Sequence, residues 1–278
     1  MLRHLARNGL RRLLTPDWPG DWLARLSGPS GRLAVQRQAA LDHRFDQRRR
    51  HFFADLTVAG GPFAGLRYAA AVAYGSSLWP KLLGTYESEL HPALARLRPR
   101  TYDDLVDIGF AEGYYLVGLA GWFPGARVWG FDLSADAHRL CTALAAANAL
   151  APSRLRLANA ATPAALAPAL TGRTLVVCDC EGHEAELFAA DRIARWRHAD
   201  LLIETHDFLI PGTAEAISAR LAPTHDVEIV VADHAPAVLL ARAPLAARRR
   251  FSPAELIRLL DEGRPPGQVW LVALARAA

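Results

Sequence analysis

The chain has 278 residues, 51% of them hydrophobic and 22% charged, with a formal net charge of +4. That length suits one large domain or one domain with an appendage, and the composition excludes a disordered, fibrous or disulfide-built chain. No run of about eighteen apolar residues occurs, so no membrane span is expected, and the small positive charge, carried by arginine except at Lys81, is weak evidence for a nucleic-acid partner.

Cys141, Cys178 and Cys180 are too few for a disulfide framework, and C-x-C is not the usual C-x-x-C pair. Two of them lie in an apolar run, where buried free thiols in a reducing cytoplasm are expected.

The N-terminal MLRHLARNGLRRLLTP is a basic amphipathic segment, read as a surface helix in preference to a transit peptide. Pro16 and Pro19 end it, and RQAALDHRFDQRRRHFF reads as a second helix with its arginines in solvent. Residues 56–75, with glycine pairs and alternating apolar positions, suggest a short hairpin or an irregular cover. Residues 76–96 hold a turn and then a helix. A mainly helical N-terminal segment over 1–95 is therefore expected to precede a second domain over 96–278.

From residue 101 the pattern alternates. Strands are predicted at 104–109, 126–132, 154–159, 174–180 and 199–205, with helices at 113–122, 134–149, 162–169, 183–195 and 212–222. Two late strands follow at 225–233 and 268–275. Between them lies the charged helix SPAELIRLLDEG, with Ser252 as N-cap and Glu255 three residues on. Apolar strands alternating with helices mean a parallel sheet covered on both faces. The fold class expected is α/β: a Rossmann-like, doubly wound, seven-stranded, mostly parallel sheet closed by an antiparallel C-terminal strand.

In such a sheet ligands sit at the carboxyl ends of the strands, where strand order reverses. The first strand ends in V-D-I-G-F-A-E-G-Y-Y. Gly109 and Gly113 allow a sharp turn and close approach to a ligand, and the next helix aims its N-terminus at the same place. The stretch is not G-x-G-x-x-G. It places acids, Asp107 and Glu112, where a cationic group such as an amino-acid ammonium would bind. The second strand ends in Asp132, about twenty residues past the loop, where an acid can hold both hydroxyls of a ribose. Asn159 follows the third strand, within reach of an adenine edge.

Asp179 and Glu181 end the fourth strand, and Glu204 and His206 the fifth. Each pair is two residues apart and so shares a side. His206 is the best general base, because imidazole titrates near neutrality. The quartet also has the donors for a divalent ion, but no metal is expected. Glu184, with His183 before it, is read as helix-start electrostatics. Lys81 is read as an accident of codon bias, and Trp79, Tyr86, Tyr114 and Tyr115 as packing or part of a substrate wall.

D-I-G-F-A-E-G-Y-Y followed by G-F-D-L resembles the first motif and acidic successor of class I S-adenosylmethionine-dependent methyltransferases. D-C-E-G-H-E-A-E-L-F at 179–188 is similar to the D-x-E-G-x-E signature of FkbM-like members, and L-L-G-T-Y-E-S-E-L at 82–90 to the G-x-Y-E-x-E segment upstream of it. The resemblance spans roughly residues 82–210. It implies that Asp107, Gly109, Glu112 and Gly113 line the methionine end of S-adenosylmethionine, that Asp132 holds the ribose, and that Asn159 lies beside adenine. Thr85, Tyr86 and Glu87 would close over the site. Phe110 and Asn159 depart from the family pattern, which has a small residue and an aspartate there.

The implied activity is O-methylation of a small molecule, an in-line displacement in which alignment does most of the work, with Asp179, Glu181 and His206 at the acceptor. A nucleic-acid methyltransferase and a non-catalytic binding protein are the alternatives. The first lacks an N/D-P-P-Y/F strand-end motif; against the second stands the intact loop. No membrane partner is expected, and a homodimer is among the open oligomeric states.

Overall fold

The protein is described here by a computed structural model covering residues 29–265 and 267–276. The expected helix before Pro16 lies outside the described residues. The chain divides into two compact units, one ending at Ala54 and one starting at Asp55, so residues 55–95 group with the sheet. The described part of the first unit is one helix, α1 (Pro29–Phe52), with Arg49, Arg50 and His51 in its last turn, where cations suit the helix dipole.

The second unit opens with an irregular hairpin over 56–75 that makes one antiparallel bridge, Thr57 to Arg67. Two short helices follow, α2 (Leu78–Leu83) and α3 (His91–Leu97). The seven strands come next: β1 (Asp104–Ile108), β2 (Arg127–Phe131), β3 (Leu155–Ala158), β4 (Thr174–Cys178), β5 (Ala199–Thr205), β6 (His225–Val231) and β7 (Val269–Ala275). They lie in the order β3-β2-β1-β4-β5-β7-β6. β1 to β5 are parallel, and β7 runs antiparallel between β5 and β6. β1, β4 and β5 each pair on both sides and are buried along their length, as their apolar sequences demand. β3 and β6 are the edges and are less buried than the strands between them.

Val106, Ile108, Val176, Cys178, Leu201, Ile203 and Leu271 face one side of the sheet and pack with Phe188, Trp196, Ile217 and Leu221. The helices beside the sheet are α4 (Tyr114–Trp122), α5 (Ala135–Ala147), the single turns α6 (Pro163–Leu166) and α7 (Glu184–Leu187), and α8 (Thr213–Leu221). Helices α9 (Pro236–Arg242), α10 (Leu245–Arg248) and α11 (Pro253–Leu260) fill the excursion before β7, and the capping box of Ser252 and Glu255 opens α11 as expected.

One expected helix is broken. The stretch 183–195 holds only α7 and a 3-10 turn at Ile193–Trp196. The Trp196 ring folds back onto Phe188, centroids 4.9 Å apart, and its Nε1 donates to the Leu187 carbonyl at 3.2 Å. Arg220 serves the Phe188 carbonyl at 3.1 Å. Burying Trp196 outweighs the helical propensity of the segment.

Candidate functional site

β1 is followed in sequence by β2 on one side, while β4 lies on its other side, so the order reverses between β1 and β4. Gly109 sits at that reversal with φ +86, and a Cβ there would lie 1.7 Å from the Asp179 carbonyl oxygen. Gly113, at φ +93, presses on Cys141 Sγ, 2.7 Å from where its Cβ would be. Both glycines are needed for close approach, as expected, but what approaches is protein: the backbone past β4 and the side of α5. The register sets Gly109 level with Asp132 and Asp179 at the ends of the two neighbouring strands, with Asp107 two residues deeper in β1.

Asp132 is locked in place. Its Oδ2 accepts from the Ala111 amide at 3.0 Å and its Oδ1 from the Ser134 amide at 2.8 Å. Beside it Leu133 is 82% exposed, and Asn159 is exposed just beyond β3. Phe110, the bulky departure from the family pattern, is buried. Its ring lies 5.2 Å from that of His138, in space that Gly130 leaves open, so it does not fill the crevice. Asp107 is buried, and its pKa is pushed up to about 8, first by burial and then by the charge of Asp132.

Glu112 and Lys81 are joined in an ion pair in which each side chain is at most 3% exposed. Tyr68 Oη donates to Glu112 Oε1 at 3.1 Å and the Tyr74 amide to Oε2 at 3.0 Å. Lys81 also donates to Ser76 Oγ at 2.7 Å, and its ammonium lies 4.6 Å from the Tyr86 ring centre. The lone lysine is therefore no accident: it neutralises the loop acid, which points into protein.

The register Cys178 to Ile203 aligns β4 with β5, so Asp179 and His206, each one residue past its strand, come close together. His206 Nε2 lies 3.5 Å from Asp179 Oδ1 and 3.8 Å from Glu181 Oε2. Its Nδ1 lies 3.0 Å from Glu184 Oε1. Glu184 is fully buried and also accepts from the amides of Cys180 and Gly182 at 2.8 and 2.9 Å. It is the partner that orients the imidazole, a role beyond helix-start electrostatics. Burial opposes the imidazolium, yet the hydrogen bond and charge of Glu184, with the charges of Glu204 and Glu181, carry the His206 pKa above its ordinary value. His183 is half-exposed, 3.4 Å from Glu186.

Glu204 is buried, opposite Asp179 by the strand register, and ion-paired with Arg264. Arg264, 10% exposed, is the hub of this flank: its Nη1 lies 2.8 Å from Glu89, 3.4 Å from Glu262 and 3.8 Å from Glu87. Glu87, at φ +46, accepts from Tyr115 Oη, and Tyr86 and Thr85 are buried beside it. One guanidinium cannot neutralise so many acids. Glu87 is pushed to about 7 and Glu262 to about 8, burial being the first cause in both. Asp179 is pushed to about 8, by burial and then by the charge of Glu87. Arg264 and Glu262 lie in the loop E-G-R-P-P-G, which carries no recognisable sequence signal. Glu89 was visible only as the last residue of the upstream motif.

Asp179 Oδ1, Tyr114 Oη and Trp270 Nε1 are buried at this end of the sheet without a hydrogen-bond partner. Buried polar atoms are rarely left so. Such orphans at this end of the sheet, with Leu133 bare and Asp132 half-buried past β2, fit a polar ligand with one apolar face.

No protein-family model matches the chain, and no curated protein matches it. Solved structures do. Precorrin-6Y C5,15-methyltransferase from Geobacter metallireducens GS-15 has 10% identity and a TM-score of 0.44 over 69% of this chain and 88% of its own. The C-terminal domain of the Rhodobacter capsulatus enzyme has 21% identity and a TM-score of 0.42 over 67% and 87%. The 16S rRNA (adenine(1408)-N(1))-methyltransferase from Catenulisporales acidiphilia has 21% identity and a TM-score of 0.37 over 66% and 92%. Likenesses this distant say nothing of what this chain acts on. Among the described residues no helix is long and apolar enough to cross a membrane.

Proposed function

We propose that the protein is a class I S-adenosylmethionine-dependent methyltransferase of FkbM-like type that methylates a hydroxyl of a small molecule. The observation that carries this reading is Asp132, pinned by two backbone amides at the end of β2 with Leu133 exposed beside it, while Asp179 ends β4 across the reversal of strand order and Asp107 lies two residues deeper between them. Bound S-adenosylmethionine supplies the electrophilic methyl group. Asp132 offers its remaining lone pairs to the ribose hydroxyls, Leu133 covers one face of the adenine, and Asn159 stands at its edge. Asp107 and Glu87 face the methionine end with Tyr86, while Glu112 acts at one remove by holding Lys81. Gly109 and Gly113 keep the loop tight enough for this.

At the acceptor end His206 takes the hydroxyl proton on Nε2, Asp179 and Glu181 sit beside that nitrogen, and Glu184 holds the ring by Nδ1. Titration calorimetry with S-adenosylmethionine, run beside NAD as a control, tests the proposal. One equivalent of S-adenosylmethionine should bind, and Asp132→Ala should weaken it by about a hundredfold, as loss of two charge-assisted hydrogen bonds requires. Unchanged affinity in that variant, or preference for NAD, would falsify the placement.

A further inference from the structure

The imidazole of His206 is 95% buried by side-chain area, and both its nitrogens face acids. Glu184 Oε1, 3.0 Å from Nδ1, already accepts an amide hydrogen from Cys180, and its other oxygen accepts one from Gly182. A carboxylate so placed takes the ring proton on Nδ1 and leaves the lone pair on Nε2. That lone pair then points at two further carboxylates, with Asp179 Oδ1 at 3.5 Å and Glu181 Oε2 at 3.8 Å. Asp179 Oδ1 is buried and accepts no hydrogen bond. Three electron-rich atoms facing one another draw a cation between them: a proton on Nε2 in the ligand-free chain, or a metal ion that displaces it.

We propose that His206 Nε2, Asp179 and Glu181 bind a divalent first-row metal ion, with Glu184 as the outer partner that fixes the imidazole. One ligand atom each from Asp179, Glu184 and His206 can be drawn from within 4.8 Å, but Glu184 is engaged with Nδ1 and two amides, which makes Glu181 the third ligand. The separations of 3.5 and 3.8 Å from Nε2 to the two carboxylate oxygens suit an ion that takes nitrogen and oxygen at about 2.0–2.2 Å, and the exposed Glu181 side chain turns to bring its oxygen up to the other two. Mixed imidazole and carboxylate donors suit Mn²⁺, Co²⁺ or Zn²⁺ better than Mg²⁺ or Ca²⁺. A carboxylate accepting from the far nitrogen of a ligating histidine is the usual outer arrangement. Glu181 at φ +57 and Gly182 at φ +99 form the turn that places the Glu181 carboxylate on the side of His206. The site is open toward Glu181, which is 60% exposed, so water or an acceptor hydroxyl can complete the coordination.

The inference refines the methyltransferase reading: with the ion bound, the hydroxyl meets the metal and not Nε2. The full-length protein, freed of metal by a chelator, is titrated with Co²⁺ and Mn²⁺ in the absence of any cofactor. The visible absorption of Co²⁺ and the electron paramagnetic signal of Mn²⁺ report coordination. One equivalent is expected. His206→Asn should remove the site, and Glu184→Gln should weaken it by about 10- to 100-fold. Glu181→Gln, at an exposed position that folding tolerates, should weaken it by at least about tenfold. The proposal is overturned if the wild type takes up neither ion at millimolar concentration, or if uptake is the same in folded Glu181→Gln. Loss of the ion site with intact S-adenosylmethionine binding would sink this inference alone. Loss of S-adenosylmethionine binding with an intact ion site would sink the methyltransferase reading alone.

Discussion

The two ends of the same strands treat buried acids in opposite ways. At the amino end, Asp104 of β1 is fully buried and receives Arg127 Nε at 2.7 Å, Arg127 Nη2 at 2.6 Å and Trp129 Nε1 at 2.8 Å. Asp200 of β5 receives Arg100 at 2.8 Å, Tyr102 Oη at 2.6 Å and the Ala275 amide at 2.9 Å. At the carboxyl end, Asp107 of β1 and Glu204 of β5 are as deeply buried, but they stand among further acids, and their pKa values rise. Residue type, strand and burial match; the supply of cations and donors differs. The amino end is complete within the chain. The carboxyl end holds an excess of acid and several orphaned polar atoms, which suits a place where positive charge arrives with a ligand.

The largest effect expected comes from the carboxyl-end acid paired with the lone lysine. Lys81→Met leaves Glu112 buried without its partner and should destabilise the fold by about 3–5 kcal/mol, read as a drop in the urea midpoint. A loss under about 1 kcal/mol would show that Tyr68 and the Tyr74 amide suffice for Glu112.

A matched pair of substitutions separates the two ends. Asp104→Asn should cost about 2 kcal/mol, because the buried Trp129 donor and the Arg127 pairing lose acceptors. Asp179→Asn relieves repulsion and should leave the ligand-free protein within about 1 kcal/mol of wild type, on the stabilising side. Equal losses in the two would erase the distinction between the ends.

The pH dependence is smaller and has a definite sign. Asp107, Asp179, Glu87 and Glu262 have folded-state pKa values of about 7 to 8, against about 4 when unfolded. Across that window the folded chain binds more protons than the unfolded one, so stability falls as pH rises and levels off above about 8. The raised pKa of His206 acts in the same direction. Glu184, whose pKa is lowered, contributes stability that is lost only below the ordinary carboxylate range. Urea midpoints should therefore fall between about pH 5.5 and 8.5, and Glu262→Gln should flatten the fall. A rising midpoint would mean that these acids are neutralised within the chain.

Much of this arrangement was legible in the sequence, because it is local. Apolar runs marked every strand to within a few residues, and V-D-I-G with G-F-D placed two acids at adjacent strand ends. What escaped notice depends on distance along the chain. Lys81 meets Glu112 across 31 residues, and Arg264 meets Glu204 across 60, and neither pairing leaves a periodic trace. The helix expected over 183–195 has good local propensity and is broken by Trp196 turning into the core. Gly109 was read as making room for a ligand, whereas its space is filled by the Asp179 carbonyl, a neighbour set by strand order.

A crystal of the full chain grown with S-adenosylhomocysteine would show where the nucleoside lies. The account predicts ribose hydroxyls on the Asp132 carboxylate, the purine against Leu133, and the sulfur directed toward Asp179 and His206. A nucleoside bound elsewhere, or a crevice that stays closed at saturating ligand, would contradict it.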